Sequence, residues 1–319
     1  MIVAPLPEAR VGELEEILEE EVGHWEHQLY WDFKPAVEVL RRYLSSRSLP
    51  GRVLRTPGRE VVGYAYHVVD QTVGYIGNIY VRDRFASPKN YERLLVPTIH
   101  SLRAGNNIKR IECQIFPFNF NLEALFLSSH FAALKRHFLC LPLERMSHNG
   151  WQREPPAHFK ILGWDPSFFM AAAEVIFDSY RDSADHRLCR DYQSLRGCVR
   201  FLRNLIESPG CGVFAPETSL VAVDDTGAVS GVLLTSLIGP RTGMVPQVSV
   251  RKASQGEGLG TLLLNSYCCR AQARDFQRVA LSVSEVNQGA YRLYRRLGFE
   301  ELKLFHAFIW DSEDSGAVD

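Results

Sequence analysis

The sequence predicts an α+β chain of two tandem domains, each a mixed but mostly antiparallel sheet flanked by helices. Three observations lead there. The 319 residues are about twice what a single core usually organises. One order of periodicities is read twice along the chain: helices, an antiparallel meander, helix, strand, helix, strand. Finally, the two passes agree residue by residue, because Gly63 and Gly231, Leu94 and Leu262, Asn119 and Asn287, Leu125 and Leu293, and Phe131 and Phe299 each lie 168 positions apart.

The first pass opens with a helix over 7–21, where Val11, Leu14, Ile17 and Leu18 recur at helical spacing above an acidic face. An aromatic segment follows (Trp25, Tyr30, Trp31, Phe33), then a helix over 35–44 and three strands over 51–55, 61–69 and 75–82. Helix 91–102, strand 111–116, short helix 122–128 and strand 134–143 complete it. Residues 145–156, with Asn149-Gly150 and Pro155-Pro156 as breakers, read as a linker. The domains are therefore expected at 1–144 and 157–319.

The second pass has helices over 166–180 and 192–207, a hairpin turning at Asp225-Thr226-Gly227, and a strand over 246–251. Helix 259–274, strand 279–283, helix 289–297 and strand 302–310 follow.

Composition narrows the function classes. Hydrophobic residues make up 46% and charged residues 23%, with no run of about 20 apolar residues, so a membrane span is not expected. A formal net charge of −1 speaks against a broadly basic nucleic-acid surface. The acidic start carries no secretory pattern, and seven cysteines without CxxC spacing suggest reduced thiols, so a cytoplasmic location is expected.

Chemistry concentrates at 245–269, where an alternating strand breaks into Gln255-Gly256-Glu257-Gly258-Leu259-Gly260 and then a long apolar-periodic helix. Glycines let backbone approach a ligand, and the helix start directs unpaired N–H groups to the same place, an arrangement suited to phosphate. No Gly-Lys-Ser/Thr follows, and the spacing is GxGxG, so neither a Walker loop nor a dinucleotide fingerprint is met.

Taken with Asn287-Gln288-Gly289-Ala290 and the run to Phe299, this turn resembles the GCN5-related N-acetyltransferases (GNAT). Their acyl-CoA signature, Q/R-x-x-G-x-G/A, is met by Gln255, Gly258 and Gly260. A second signature, an asparagine followed by A-x-x-L-Y-x-x-x-G-F, is met by Asn287, Ala290, Leu293, Tyr294, Gly298 and Phe299. The resemblance covers residues 157–319, and the tandem layout with its working site in the second copy is similar to that of the mycothiol synthases.

The resemblance implies an acetyl-CoA site at Val248, Ser249, Val250, Gln255, Gly256, Glu257, Gly258, Leu259, Gly260, Thr261, Asn287, Ala290 and Tyr294, with no metal. It implies that the strand 247–250, bulged and splayed from its neighbour, pairs with pantetheine and polarises the acyl carbonyl. It gives Tyr294 the role of acid for the leaving thiolate, which a phenol protonated at neutral pH can fill. Glu257 is expected to face solvent.

The base that deprotonates the acceptor ammonium stays open between Glu285, the nearest carboxylate by position, and another group or a water chain. Tyr294 also fits an apolar helix stripe. Arg292, Arg295 and Arg296 read as an exposed face or as contacts to a ribose phosphate. The loop holding Tyr180, Arg181, Asp182, Asp185, His186 and Arg187 reads either as polar surface or, by resemblance, as the acceptor wall. His24 and His27, beside Glu20 and Glu21, read as a solvated face in preference to a metal site.

The expected function is transfer of acetyl from acetyl-CoA to a primary amine, by direct attack in a ternary complex. A small amine, amino sugar, antibiotic or protein N-terminus are all open as acceptors. The competing class is a module that holds CoA or another nucleotide without turnover. At the spacing of 168, Gly258 faces Asn90, Gly260 faces Glu92 and Tyr294 faces Phe126, so the first copy is expected to be catalytically silent.

Overall fold

The computed structural model of the chain describes residues 1–105, 107–146, 158–181, 183–187 and 189–312. Most of the expected linker therefore lies outside the described residues, as does Asp182. The elements are β1 (Ile2–Pro5), α1 (Glu15–Leu29), α2 (Lys34–Ser45), β2 (Gly51–Arg55), β3 (Val61–Asp70), β4 (Val73–Val81), α3 (Pro88–Arg103), β5 (Arg110–Ile115), α4 (Glu123–Ser128) and β6 (Ala132–Pro142). There follow β7 (Phe159–Gly163), α5 (Phe169–Tyr180), α6 (Leu195–Glu207), β8 (Val213–Phe214), β9 (Leu220–Asp224), β10 (Val229–Gly239), β11 (Thr242–Val250), α7 (Leu259–Gln272), β12 (Arg278–Ser284), α8 (Gln288–Arg296) and β13 (Glu300–Asp311).

Three corrections apply to the expected elements. The opening helix starts eight residues later than expected, after two 3-10 turns at Leu6–Glu8 and Val11–Glu13, and runs on to Leu29. β1 and β8 were not anticipated, being too brief to establish a period of two, nor was β7, whose FKILG does not alternate. β11 begins four residues earlier than expected, at Thr242.

The chain divides into two compact units, Met1–Arg136 with Lys303–Asp319, and His137–Leu302. The boundaries expected at 1–144 and 157–319 follow the chain, whereas the units follow packing, and each takes the other copy's last strand. In the first unit the sheet order is β1-β2-β3-β4-β5-β13, with His306 to Asp311 antiparallel to Ile115 to Arg110. In the second it is β6-β12-β11-β10-β9-β7, with β8 against β10.

Strand alternation sorts side chains of the second unit onto two helical layers. Leu220, Ala222 and Leu233 join the core under α7 and α8, while Val221, Val223, Val232 and Leu234 face α5 and α6. The first unit repeats the scheme, with Leu54, Val62 and Ala65 toward α3 and α4 and Val53, Val61 and Tyr64 toward α1 and α2. No helix among the described residues is long and apolar enough to cross a membrane.

The helix α7 is seated by close approach. A Cβ added at Gly231 would meet Leu263 Cδ1 at 3.0 Å, and Leu263 is fully buried. Leu263→Ala is therefore expected to cost about 2–5 kcal/mol, seen as an earlier unfolding transition of the intact chain in denaturant. A loss below about 1 kcal/mol would mean that α7 settles onto the strand and closes the cavity.

Candidate active site

The site begins as a gap in the second sheet. β11 and β12 run parallel and pair only from Thr242↔Arg278 to Val245↔Leu281, although β11 continues to Val250 and β12 to Ser284. The register of β11 against β10 breaks at the same place, between Leu234↔Gln247 and Ser236↔Met244. Pro246 sits in that break, where it has no N–H to lose. Beyond it β11 stays with β10: Arg251 N donates to Ser230 O at 2.8 Å, and Ser249 and Gln247 keep the same ladder. Alternation then turns the N–H groups of Val248 and Val250 away from β10, into the gap.

The glycine turn stands at the end of this strand. Gly256 and Gly258 have φ of 86° and 89°, a region that side chains resist, so the turn requires glycine at both. The first bond inside α7 is Leu262 N to Gly258 O at 3.0 Å, and no side chain caps the helix. The N–H groups of Leu259, Gly260 and Thr261 thus lack helical partners. Gly260 is different from the other two, since a Cβ there would find nothing nearer than Val250 Cγ2 at 3.8 Å. Gln255 folds back, donating from Nε2 to Val250 O at 3.0 Å.

Across the gap, Asn287 caps α8 by accepting from Ala290 N at 3.2 Å, and its Nδ2 donates to Asp185 Oδ2 at 3.3 Å. Two helical turns on, Tyr294 is buried, and burial, reinforced by Tyr180 and Asp185, pushes its phenol well above the ordinary range. The proton is therefore held throughout the neutral region. On the opposite face of β11, Gln247 Nε2 donates to Ser249 Oγ at 2.7 Å and to Tyr180 OH at 3.3 Å, Tyr192 OH donates to Gln247 Oε1 at 3.2 Å, and Ser179 Oγ donates to Ser249 Oγ at 2.9 Å. Tyr180 and Tyr192 stack at 4.0 Å.

These parts enclose a cleft of about 710 Å³. Of the residues singled out in the sequence, it gathers Val248, Val250, Gln255, Gly256, Gly258, Leu259, Gly260, Thr261, Asn287, Ala290, Tyr294, Arg296 and Asp185. Ser249 turns its side chain into the polar network. Glu257 is exposed as expected and meets His158 Nε2 at 2.9 Å. Glu285 is exposed and does not line the cleft, and its carbonyl accepts from Gln288 Nε2 at 2.7 Å. Arg295 donates to Phe299 O at 2.9 Å. Sequence reasoning passed over Ser179 and Ser183, which line the cleft, and Gln247 as a side chain; no spacing marks them.

The first copy has the same gap, closed. β4 and β5 pair from Val73↔Arg110 to Ile76↔Cys113 and then diverge. Gly63 pairs with Val81 as Gly231 pairs with Val250, so this stretch is offset by 169, because the second hairpin holds one more residue. The matches at 168 are corrected accordingly: Gly260 corresponds to Tyr91, Gly258 to Lys89, and Leu94 to Leu263, each of these leucines lying 3.0 Å from its glycine's would-be Cβ. The offset returns to 168 by Arg110 and Arg278.

Side chains take the exposed main chain here. Ile79 N donates to Asn78 Oδ1 at 2.8 Å, Val81 N to Tyr91 OH at 3.4 Å, and Asn119 Nδ2 to Val81 O at 2.7 Å. Tyr91 OH in turn donates to Asn119 Oδ1 at 2.6 Å, and Ser87 caps α3 by accepting from Asn90 N at 3.4 Å. In the same unit His24 meets Asp83 at 3.0 Å and Glu20 accepts from Tyr80 OH at 3.1 Å, while His27 binds Gly23 O at 2.6 Å. Ligand-type atoms of Glu20, His24 and Asp83 lie within 4.8 Å of one another, but protein partners already engage them.

Comparison with known proteins bears on the fold and on the sequence pattern of the second copy. Residues 177–299 match the model of the Acetyltransferase (GNAT) family. The chain is similar to a GCN5-related N-acetyltransferase from Sphaerobacter thermophilus, with a TM-score of 0.64 and 20% identity over 86% of this chain and 85% of that one. It is also similar to a tandem GNAT protein from the clavulanic acid biosynthesis pathway, with a TM-score of 0.59 and 16% identity over 100% and 99%. At these identities the likeness is one of fold. N-alpha-acetyltransferase 40 of Saccharomyces cerevisiae is 36% identical over 95 residues, 28% of this chain, and the chain spans about a third (33%) of that relative. This protein therefore has the tandem GNAT fold, and its second copy carries the family's sequence pattern.

Because Gly260 answers to space and not to backbone strain, Gly260→Val is expected to leave the melting temperature within a few degrees while weakening acetyl-CoA binding by about tenfold or more. Calorimetric titration of the variant checks it; unchanged affinity would place the diphosphate elsewhere.

Proposed function

We propose that this protein transfers acetyl from acetyl-CoA to a primary amine by direct attack in a ternary complex within the cleft of the second unit. One observation carries the reading. The N–H groups of Val248 and Val250 open onto the same cleft as the uncapped start of α7, whereas the matching groups of Ile79 and Val81 are bonded by the protein's own side chains. Pantetheine supplies the missing strand partner, the glycine turn receives the diphosphate, and the N–H of Val248 polarises the acyl carbonyl.

Tyr294 donates a proton to the departing sulfur. Its raised affinity for protons keeps the phenol intact before attack, and the transfer happens as charge develops on sulfur. The acceptor is an amine of a small molecule or of a protein N-terminus. The name of the yeast relative favours an α-amine as the first class to try. A cytoplasmic setting belongs to the proposal, supported by seven cysteines outside disulfides.

Tyr294→Phe is expected to lower kcat by about 10²-fold and to leave acetyl-CoA affinity within about twofold. Equal turnover in the variant would remove Tyr294 from the chemistry. Acetyl-CoA binding without turnover of any amine in a panel of peptides, amino sugars and alkylamines would favour the holding module instead.

Stoichiometry tests the silent first copy. Each unit borrows a strand, so the intact chain is the proper sample. Titration is expected to give one acetyl-CoA per chain; two sites of similar affinity would overturn the assignment.

A further inference from the structure

Asp185 is a buried acid of the second unit with one oxygen unpartnered. It lies in the 3-10 turn Ala184–Arg187, between α5 and α6, lines the cleft, and is only 8% exposed. Its Oδ2 accepts from Asn287 Nδ2 at 3.3 Å, and its Oδ1, fully buried, has no hydrogen-bond partner. Among the described residues no cation pairs with it. Ser183 Oγ, on the same wall, is also buried without a partner. A carboxylate withdrawn from water with one oxygen unsatisfied costs several kcal/mol, about what a single missing partner would return.

Asp185 lines the cleft beside Ser183, so its unpartnered carboxylate borders the space an acceptor would enter. The charged and titratable groups described on elements packed against this turn are Asp178 and Tyr180 on α5, Arg181 at its end, His186 within the turn, Tyr294 on α8, and Arg190 and Asp191 in the next turn, where Arg200 Nε holds Asp191 at 3.0 Å. None of them hydrogen-bonds to Asp185 Oδ1.

We infer that Asp185 binds the ammonium group of the acceptor and takes its proton before attack; the inference rests on the acetyl transfer proposed above. The ammonium passes one proton to Asp185 Oδ1, leaving a neutral amine and a carboxylic acid. The nitrogen lone pair forms the bond to the acetyl carbon, and the C–S bond breaks with its electrons on sulfur. Sulfur takes the Tyr294 proton, the phenolate takes the surplus proton from nitrogen, and the Asp185 proton leaves to solvent. One proton is released per amide formed.

Asn287 ties this base to the acid. Its Nδ2 holds Asp185 and its Oδ1 holds the first turn of α8, the helix that carries Tyr294. The base and the acid are therefore positioned by one side chain. Glu285, two residues earlier, lacks any such placement.

The test compares nucleophiles on the intact chain at pH 6.5: tetraalanine and glucosamine, which carry ammonium groups, and hydroxylamine, which is largely neutral. Asp185→Asn is expected to lower kcat/KM about 10²-fold or more for the first two and less than about threefold for hydroxylamine, with acetyl-CoA affinity within about twofold. Asp185→Ala should show the same split, and added formate should restore part of the rate with the ammonium substrates. Equal losses for all three nucleophiles with acetyl-CoA affinity intact, or no loss at all, would overturn the role of Asp185 while leaving acetyl transfer standing. If the wild-type chain acetylates none of the three and no amine of the wider panel, the proposed function fails and this inference falls with it.

Discussion

The structure turns on the separation of β11 from β12 after Val245 and Leu281. A sheet interior normally leaves no main-chain N–H or C=O unpaired, because each orphan costs about as much as a lost hydrogen bond. Parting two central strands creates a row of such groups in the middle of the fold. Something must answer them, and the two copies of the repeat answer differently. In the first, Asn78, Tyr91 and Asn119 complete the ladder from within. In the second, the corresponding groups open onto a cleft at the foot of an uncapped helix, a place that an extended, amide-bearing ligand with phosphates at one end can satisfy.

The difference between the copies is small in sequence and large in consequence. Tyr91 stands where the second copy has Gly260, and its hydroxyl reaches the strand that a ligand would otherwise contact. Ser87 and Pro88 begin α3 with an ordinary cap, whereas Gly258 begins α7 with a left-handed residue and no cap. In the first copy Tyr91 and the Ser87 cap, with Asn78 and Asn119, take up the main-chain groups that the second copy leaves open. The fold is indifferent to the exchange, since the helix seats through Leu94 on Gly63 in one copy and Leu263 on Gly231 in the other.

Much of this was legible in the sequence, for identifiable reasons. The glycine turn is visible because Gly256 and Gly258 have positive φ, a requirement that leaves a residue type behind. Asn287 is visible through the second signature of the resemblance, and the structure shows it capping the helix that follows. The one-residue change of offset is not, since a single insertion in a hairpin leaves both strands with the same alternation. Nor is the exchange of last strands: Leu134-Lys135 in β6 and Leu302-Lys303 in β13 repeat one pattern, and nothing local states which sheet each will join. Glu285 drew attention by lying near the strand end, but proximity in sequence does not place a side chain, and it faces solvent. Asp185 looked like one of several polar loop residues; only burial, which composition of a loop cannot reveal, separates it from its neighbours.

Asn119 and Asn287 bring these points together. They occupy matching positions in the repeat, each at the gap of its own sheet, and each uses both ends of its amide. Asn119 donates to Val81 O and accepts from Tyr91, so it closes the gap. Asn287 turns instead to the start of α8 and to Asp185, so it frames the opening and leaves the strand alone. An amide with one donor end and one acceptor end serves either arrangement equally well. What decides between them is whether a phenol or a glycine stands across the gap, because the phenol supplies the donor that recruits Asn119 inward, and the glycine supplies nothing. An asparagine at this position therefore does not distinguish an open copy from a closed one; the residue facing it does.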